Sequence, residues 1–255
     1  PPTPTSLLVG RSDVYKRQKI FWEKIMKNIK ISLIILFSSI FSLNLSAVPE
    51  GAFTTLMVQA KDIDKYVNFL KENVDFDNFG SEQAGYCKTR TGESYQGQMF
   101  IYNAFTSVEK AIGFIELYDP ASANFDLKQL RTIKYSSAFK PLKDFEARDG
   151  YHRLWRVKLN DWQAFSNSMT KLQKELDAAG HNMMIGVFAQ LGGGFAETGM
   201  FHLRTITETA AETGKIIDEY FRGAGWAATW DDAQQYIDEE VEETFEYCET
   251  IYTRN

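Results

Sequence analysis

The sequence predicts an α+β fold: two tandem β-α-β-β-α-β repeats followed by a C-terminal amphipathic helix. Three observations carry this reading. Short stretches of alternating apolar residues are interleaved with stretches of helical spacing. The same order of elements returns about 98–101 residues further along the chain. The composition, 44% hydrophobic and 14% aromatic with 6 prolines in 255 residues, supports a sizeable core and excludes a disordered or fibrous chain.

The first segment stands outside this pattern. Pro1 to Lys19 has no apolar period, and Arg11 to Gln18 (RSDVYKRQ) resembles translated library-adapter sequence, so residues 1–25 are read as a non-native or disordered leader. Met26 opens a basic stretch with Lys27 and Lys30, Ile31 to Leu45 is an uncharged apolar run, and Ser46-Ala47 supplies small residues before Val48. That order predicts a signal peptide over 26–47 and export to the periplasm or outside a bacterial cell. The run of 15 residues is too short for a membrane anchor across a hydrocarbon core of about 30 Å. Without residues 1–47 the chain keeps 21 basic and 32 acidic residues. Such an acidic surface repels phosphate backbones and anionic lipid, so neither nucleic acid nor membrane is an expected partner.

The first repeat, 48–149, opens with a strand at Phe53 to Ala60. Ile63, Tyr66, Val67, Leu70 and Val74 then recur at helical spacing. Ala84 to Thr91 and Gln96 to Phe105 read as strands around a turn at Thr91 to Ser94. Val108 to Tyr118 is a helix with Ser107 as its N-cap. In the connecting segment, Phe125, Leu127, Leu130 and Ile133 suggest a short helix.

The second repeat, 150–230, has a strand at Tyr151 to Leu159 and a helix from Trp162 to Leu176 capped by Asn160 or Asp161. Strands at Met183 to Gln190 and Phe195 to Thr205 flank Gly192-Gly193-Gly194, read as a hairpin turn because a phosphate-binding lysine and serine are missing. Ala210 to Phe221 is the next helix. The fourth strands are expected at Ile133 to Leu142 and at Ala224 to Trp230. In 231–255, Ile237, Val241, Phe245, Cys248 and Tyr252 form one helical stripe among nine acids, which predicts a solvated helix packed by one face.

The β-α-β-β-α-β order is the ferredoxin-like motif. Two in tandem, from Phe53 to about Arg222, resemble the dimeric α/β-barrel superfamily of antibiotic-biosynthesis monooxygenases and related stress-response proteins. The resemblance implies two four-stranded sheets enclosing a cleft, formed within one chain as a monomer. It implies enzymes, binders and proteins without a reaction alike.

Strand alternation assigns His152, Arg156, His202 and Arg204 to that cleft, with Leu56, Val58, Met99, Ile101 and Asn103 opposite them. A basic, imidazole-bearing half facing an apolar half suits a small amphiphilic or carboxylate ligand. The alternative is that these polar side chains satisfy one another. Cys87 and Cys248 are disulfide candidates or two buried thiols, and no metal motif is seen. His181 follows Ala178-Ala179-Gly180 and reads as a helix C-terminal residue. Three functional readings stand: an exported small-ligand binder; a cofactor-free or haem-linked oxidoreductase, with His181 or His202 as the imidazole; and a structural or assembly protein. No cofactor is called for by a motif, and haem enters only through the resemblance to chlorite-dismutase-like proteins.

Overall fold

The computed structural model describes residues 48–254; the expected leader and signal peptide lie outside them. Every strand of this part joins one closed antiparallel barrel of eight strands.

The elements run β1 (Ala52–Ala60), α1 (Ile63–Asn73), β2 (Gln83–Thr91), β3 (Gln98–Phe105), α2 (Val108–Leu117), α3 (Phe125–Leu130) and β4 (Arg131–Pro141). They continue with β5 (Gly150–Leu159), α4 (Trp162–Ala178), β6 (Met184–Gln190), α5 (Gly194–Glu197), β7 (Phe201–Thr207), α6 (Ala210–Phe221), α7 (Ala227–Ala233) and β8 (Ile237–Thr253). Around the barrel the order is β1-β3-β2-β8-β5-β7-β6-β4, and β4 closes on β1.

Local chemistry explains the helix ends. Ser107 accepts from the Lys110 N–H, and Asp161 from the Ala164 N–H. Gly180, at φ 89°, ends α4 in the left-handed region, and the His181 N–H returns to the Leu176 carbonyl. The helices cover the outside of the barrel. On one side Tyr66, Val67 and Leu70 of α1 pack on Leu56, Val58, Met99 and Ile101. On the other, Phe165, Met169, Leu172 and Leu176 of α4 pack on Val157, Ile185, Val187 and Leu203. Among the described residues no helix is long and apolar enough to cross a membrane.

Two expectations are corrected. The C-terminal helix over 231–255 is the 17-residue strand β8, which pairs with both β2 and β5. Its apolar residues fit a helical stripe, but Val241, Thr244, Phe245, Tyr247, Thr250, Ile251 and Tyr252 are β-branched or aromatic and favour a strand. Tertiary pairing decides between the two periods: β5 pairs with Ile237 to Cys248 and β2 with Phe245 to Thr253, and β5 sets Arg156 against Glu242 and Lys158 against Glu239. The second fourth strand is therefore β8. Ala224 to Trp230 instead turns into α7, where Trp226 and Ala227 are buried and Trp230 packs on Trp155. In the first half the fourth strand, β4, falls close to where it is expected, with α3 ending just before it.

Candidate functional site

A cavity of about 180 Å³ lies inside the barrel. One wall is aromatic, with Phe53, Phe100, Tyr102, Phe139, Phe145 and Phe188. Phe53, Phe145 and Phe188 meet edge to face, which fixes their rings. The other wall is polar and comes from β5, β7, β8 and α5.

His152, Arg156, His202 and Arg204 all line this cavity. Asn103 does not. It lies on the outer face of β3 and accepts a hydrogen bond from the Ser81 hydroxyl at 3.0 Å. Leu56, Val58, Met99 and Ile101 likewise face the helices. The cause is a one-residue slip between the two halves: Phe53, Thr55 and Met57 are the inward residues of β1, where sequence alignment selects their neighbours. With a side-chain period of two, such a slip exchanges the faces of a whole strand.

The polar wall forms two clusters. In the first, the Arg204 guanidinium donates to the Glu246 carboxylate at 2.5 Å and to His152 Nδ1 at 3.1 Å. His152 Nε2–H donates to the Arg148 carbonyl at 2.9 Å. These bonds select the neutral ring. Burial, and then the Arg204 charge, push the His152 pKa down to about 3.

In the second cluster Glu197 is the hub. Tyr135 donates to one of its oxygens at 2.7 Å, and His202 Nε2–H donates to the other at 2.9 Å. Arg156 Nε lies 3.4 Å from the same carboxylate, and Arg156 Nη1 donates to Glu242 at 2.6 Å. Burial works against the Glu197 charge, but His202, Arg156 and Tyr135 outweigh it and hold its carboxyl below the usual carboxylate value. Burial, reinforced by Glu197, pushes the Tyr135 phenol up, so it remains a donor. Among the described residues nothing hydrogen-bonds His202 Nδ1, which bears the lone pair when Nε2 donates and the ring is neutral. The Tyr95 hydroxyl is buried in this cavity wall without a hydrogen-bond partner.

Sequence reading misses Glu197, Glu242 and Glu246. Glu197 lies where a strand is expected; it is in α5, and β7 starts only at Phe201. The glycine triplet makes this possible. Gly193 has φ 121°, and a Cβ there would stand 2.5 Å from the Ser137 hydroxyl. Glu242 and Glu246 are hidden by the helical reading of β8, although acids at 242 and 246 alternate with Thr244 and Cys248 on one strand face.

Cys87 and Cys248 are directly opposite across β2 and β8 and form a disulfide. Together with His152 they are a close trio, with ligand atoms within 4.8 Å of one another. The sulfurs are spent on each other and His152 Nδ1 accepts from Arg204, so the trio offers no thiolate metal site. Arg153 lies on the outer face, as alternation requires, paired with Glu243 and stacked on Trp155.

In the barrel cavity a haem is excluded by size rather than by ligand supply: His202 keeps Nδ1 while Nε2 is held by Glu197, and His181, engaged by Glu219 at 2.6 Å, does not line that cavity. The barrel cavity is below the roughly 300–1,000 Å³ of a drug-sized site.

The buried, neutral His152 makes stability depend on pH. In the unfolded chain the ring takes a proton below about pH 6.5, whereas in the fold it resists protonation down to about pH 3. The unfolded state therefore gains protons first, and stability falls as pH drops through this window, by up to about 1.4 kcal/mol per unit. Denaturant melts at pH 6.5 and 4.5 should show a smaller loss in His152→Gln than in the parent protein. Equal losses would refute the assignment.

No protein-family profile matches the sequence, and no curated protein matches it. Solved structures do. A candidate monooxygenase from Lactobacillus acidophilus NCFM superposes with a TM-score of 0.53 at 10% identity, covering 80% of this chain and 95% of that one. A candidate monooxygenase from Fusobacterium nucleatum subsp. nucleatum gives 0.51 at 9% identity, covering 81% and 99%. A chlorite dismutase variant from Candidatus Nitrospira defluvii gives 0.49 at 8% identity, covering 79% and 92%. At such identities the likeness concerns the fold alone: this chain has the fold of the dimeric α/β-barrel proteins, with all eight strands its own.

Proposed function

We propose that the protein binds a small, flat, largely aromatic molecule bearing a neutral hydroxyl or carbonyl in the barrel cavity. The observation that carries this reading is the pairing of an aromatic wall with cations that are already neutralised. Arg204 holds Glu246, and Arg156 holds Glu242 and Glu197, so the places that alternation assigns to a ligand carboxylate are filled by the chain's own acids. Among the described residues, what remains for a ligand is the Tyr95 hydroxyl, Arg156 Nε, which finds no hydrogen bond, and the Nδ1 side of His202.

A second reading is oxidoreductase chemistry on the same ligand. It is supported by the fold likeness to two candidate monooxygenases and by the His202–Glu197 pair. Nδ1 of a ring held by a carboxylate is placed to take a phenolic proton. We also read the chain as two ferredoxin-like repeats acting as a monomer. The matching strand orders β4-β1-β3-β2 and β8-β5-β7-β6 support this, with β8 closing the second repeat. Export is supported by the pattern over 26–47 and by a disulfide suited to an oxidising compartment.

Titration with 2-naphthol, followed by its fluorescence, tests the binding reading. Saturable binding is expected, weakened about tenfold in His202→Phe, which keeps the ring packing on Phe139 and removes the ring's bonds to the ligand and to Glu197. No saturable binding, or binding indifferent to His202, would overturn it. Oxygen uptake with bound 2-naphthol, absent in His202→Phe, separates the second reading from the first.

A further inference from the structure

A larger cavity, about 490 Å³, lies on the opposite face of the β1–β3–β4 sheet, under α1, α2 and α3. Its walls are mostly apolar by area, with Phe69, Leu70, Phe76, Phe114 and Leu127 among them and asparagines, serines and threonines between. One cation stands in that wall. Arg131, the first residue of β4, is only 6% exposed. Its Nη1 donates to the Tyr66 hydroxyl and its Nη2 to the Tyr118 hydroxyl, both at 2.5 Å.

What Arg131 lacks among the described residues is an acid. Arg156 and Arg204 each hold a carboxylate within the fold, but no described residue makes a salt bridge to Arg131. The phenols do not replace one: burial pushes the Tyr66 hydroxyl up to about 12, so it stays neutral. The acid on the cavity wall, Asp75, spends its oxygens on the Asp77 and Asn78 N–H groups and the Asn78 amide. A guanidinium has five N–H donors, and two are used here. A buried charge without a counter-ion is costly, and an anion entering the cavity would relieve that cost.

We propose that this cavity binds an amphiphile with a single carboxylate head, such as a fatty acid. Arg131, held in place by Tyr66 and Tyr118, takes the head through its free N–H groups, and the aromatic and leucine wall covers the chain. The site is separate from the barrel cavity and does not depend on the function proposed for it.

Calorimetric titration with dodecanoate and with methyl dodecanoate decides the matter. The acid should bind saturably below its micellar concentration, and the ester, with the same chain and no charge, about tenfold or more weaker. Arg131→Met should lose about as much as the ester does, and Arg131→Lys, which keeps the charge but not the fork, should fall between. Circular dichroism checks that the variants fold. If Arg131→Met does not, the acid–ester comparison on the parent protein and the lysine variant still decide. Equal binding of acid and ester, no saturable binding of the acid, or binding unchanged by Arg131→Met would overturn the proposal.

Discussion

Arg204→Met is expected to destabilise the protein by about 3–5 kcal/mol, because it strands the Glu246 charge inside the barrel. The Glu246 side chain is 3% exposed, and its one ion pair among the described residues is the 2.5 Å contact to Arg204. Thr244 adds only a weak bond at 3.3 Å. His152 is a poor replacement cation, since burial, the larger cause of its lowered pKa, persists without Arg204 and its Nε2–H stays on the Arg148 carbonyl. Removing both charges tells a different story. Arg204→Met combined with Glu246→Leu leaves no orphan ion, and the double variant should lie close to the parent protein. Chemical denaturation of the three proteins closes the cycle. If Arg204→Met alone stays within about 1 kcal/mol of the parent, Glu246 is not confined as described and the cluster is not a structural ion pair.

The second large effect belongs to the disulfide. Cys87 and Cys248 are 161 residues apart in sequence, so the bond closes most of the barrel into one loop. A loop of 100 residues is already worth about 4.7 kcal/mol by restriction of the unfolded chain, and measured losses for native bridges run to about 2–5 kcal/mol. Cys87→Ala with Cys248→Ala should therefore lower the melting temperature by roughly 10 °C. Reduction of the parent protein should give a similar shift, because the mutation removes little packing beyond the sulfurs. A melt unmoved by either treatment would show that the two cysteines are not bonded in solution.

Much of the fold is legible before any coordinates, and the reasons for the misses are physical. Strands β1, β2, β3, β5 and β6 and helices α1, α2, α4 and α6 follow from local period and caps, because each is a strand or helix with one face on a core. β8 is not legible, because a sequence rich in acids and aromatics satisfies both periods, and only its neighbours β2 and β5 select one. The four cationic and imidazole residues of the barrel cavity follow from alternation on β5 and β7. Their acidic partners do not, since they come from β8 and from α5. Asn103 falls on the wrong face through the slip between halves. The preference of apolar faces for helices, applied to Leu56, Val58, Met99 and Ile101 as it is to Trp155 and Leu203, sets that strand right.

The two joints between the halves of the barrel are unequal. β2 pairs along its length with Phe245–Thr253 of β8 and is riveted to it by Cys87–Cys248, whereas β4 pairs with β6 from Phe139 to Pro141, with one backbone bond beyond each end, Ala138 to Leu191 and Leu142 to Val187. The barrel is thus a book with a sewn spine and a short clasp. Any opening that admits a guest to the aromatic wall without unfolding the sheets starts at the clasp, beside Phe139 and Phe188, and swings about the spine, which keeps the Arg204–Glu246 cluster shut. Parting β4 from β6 also parts Tyr135 from Glu197, so the second charged cluster opens with the clasp while the first stays closed.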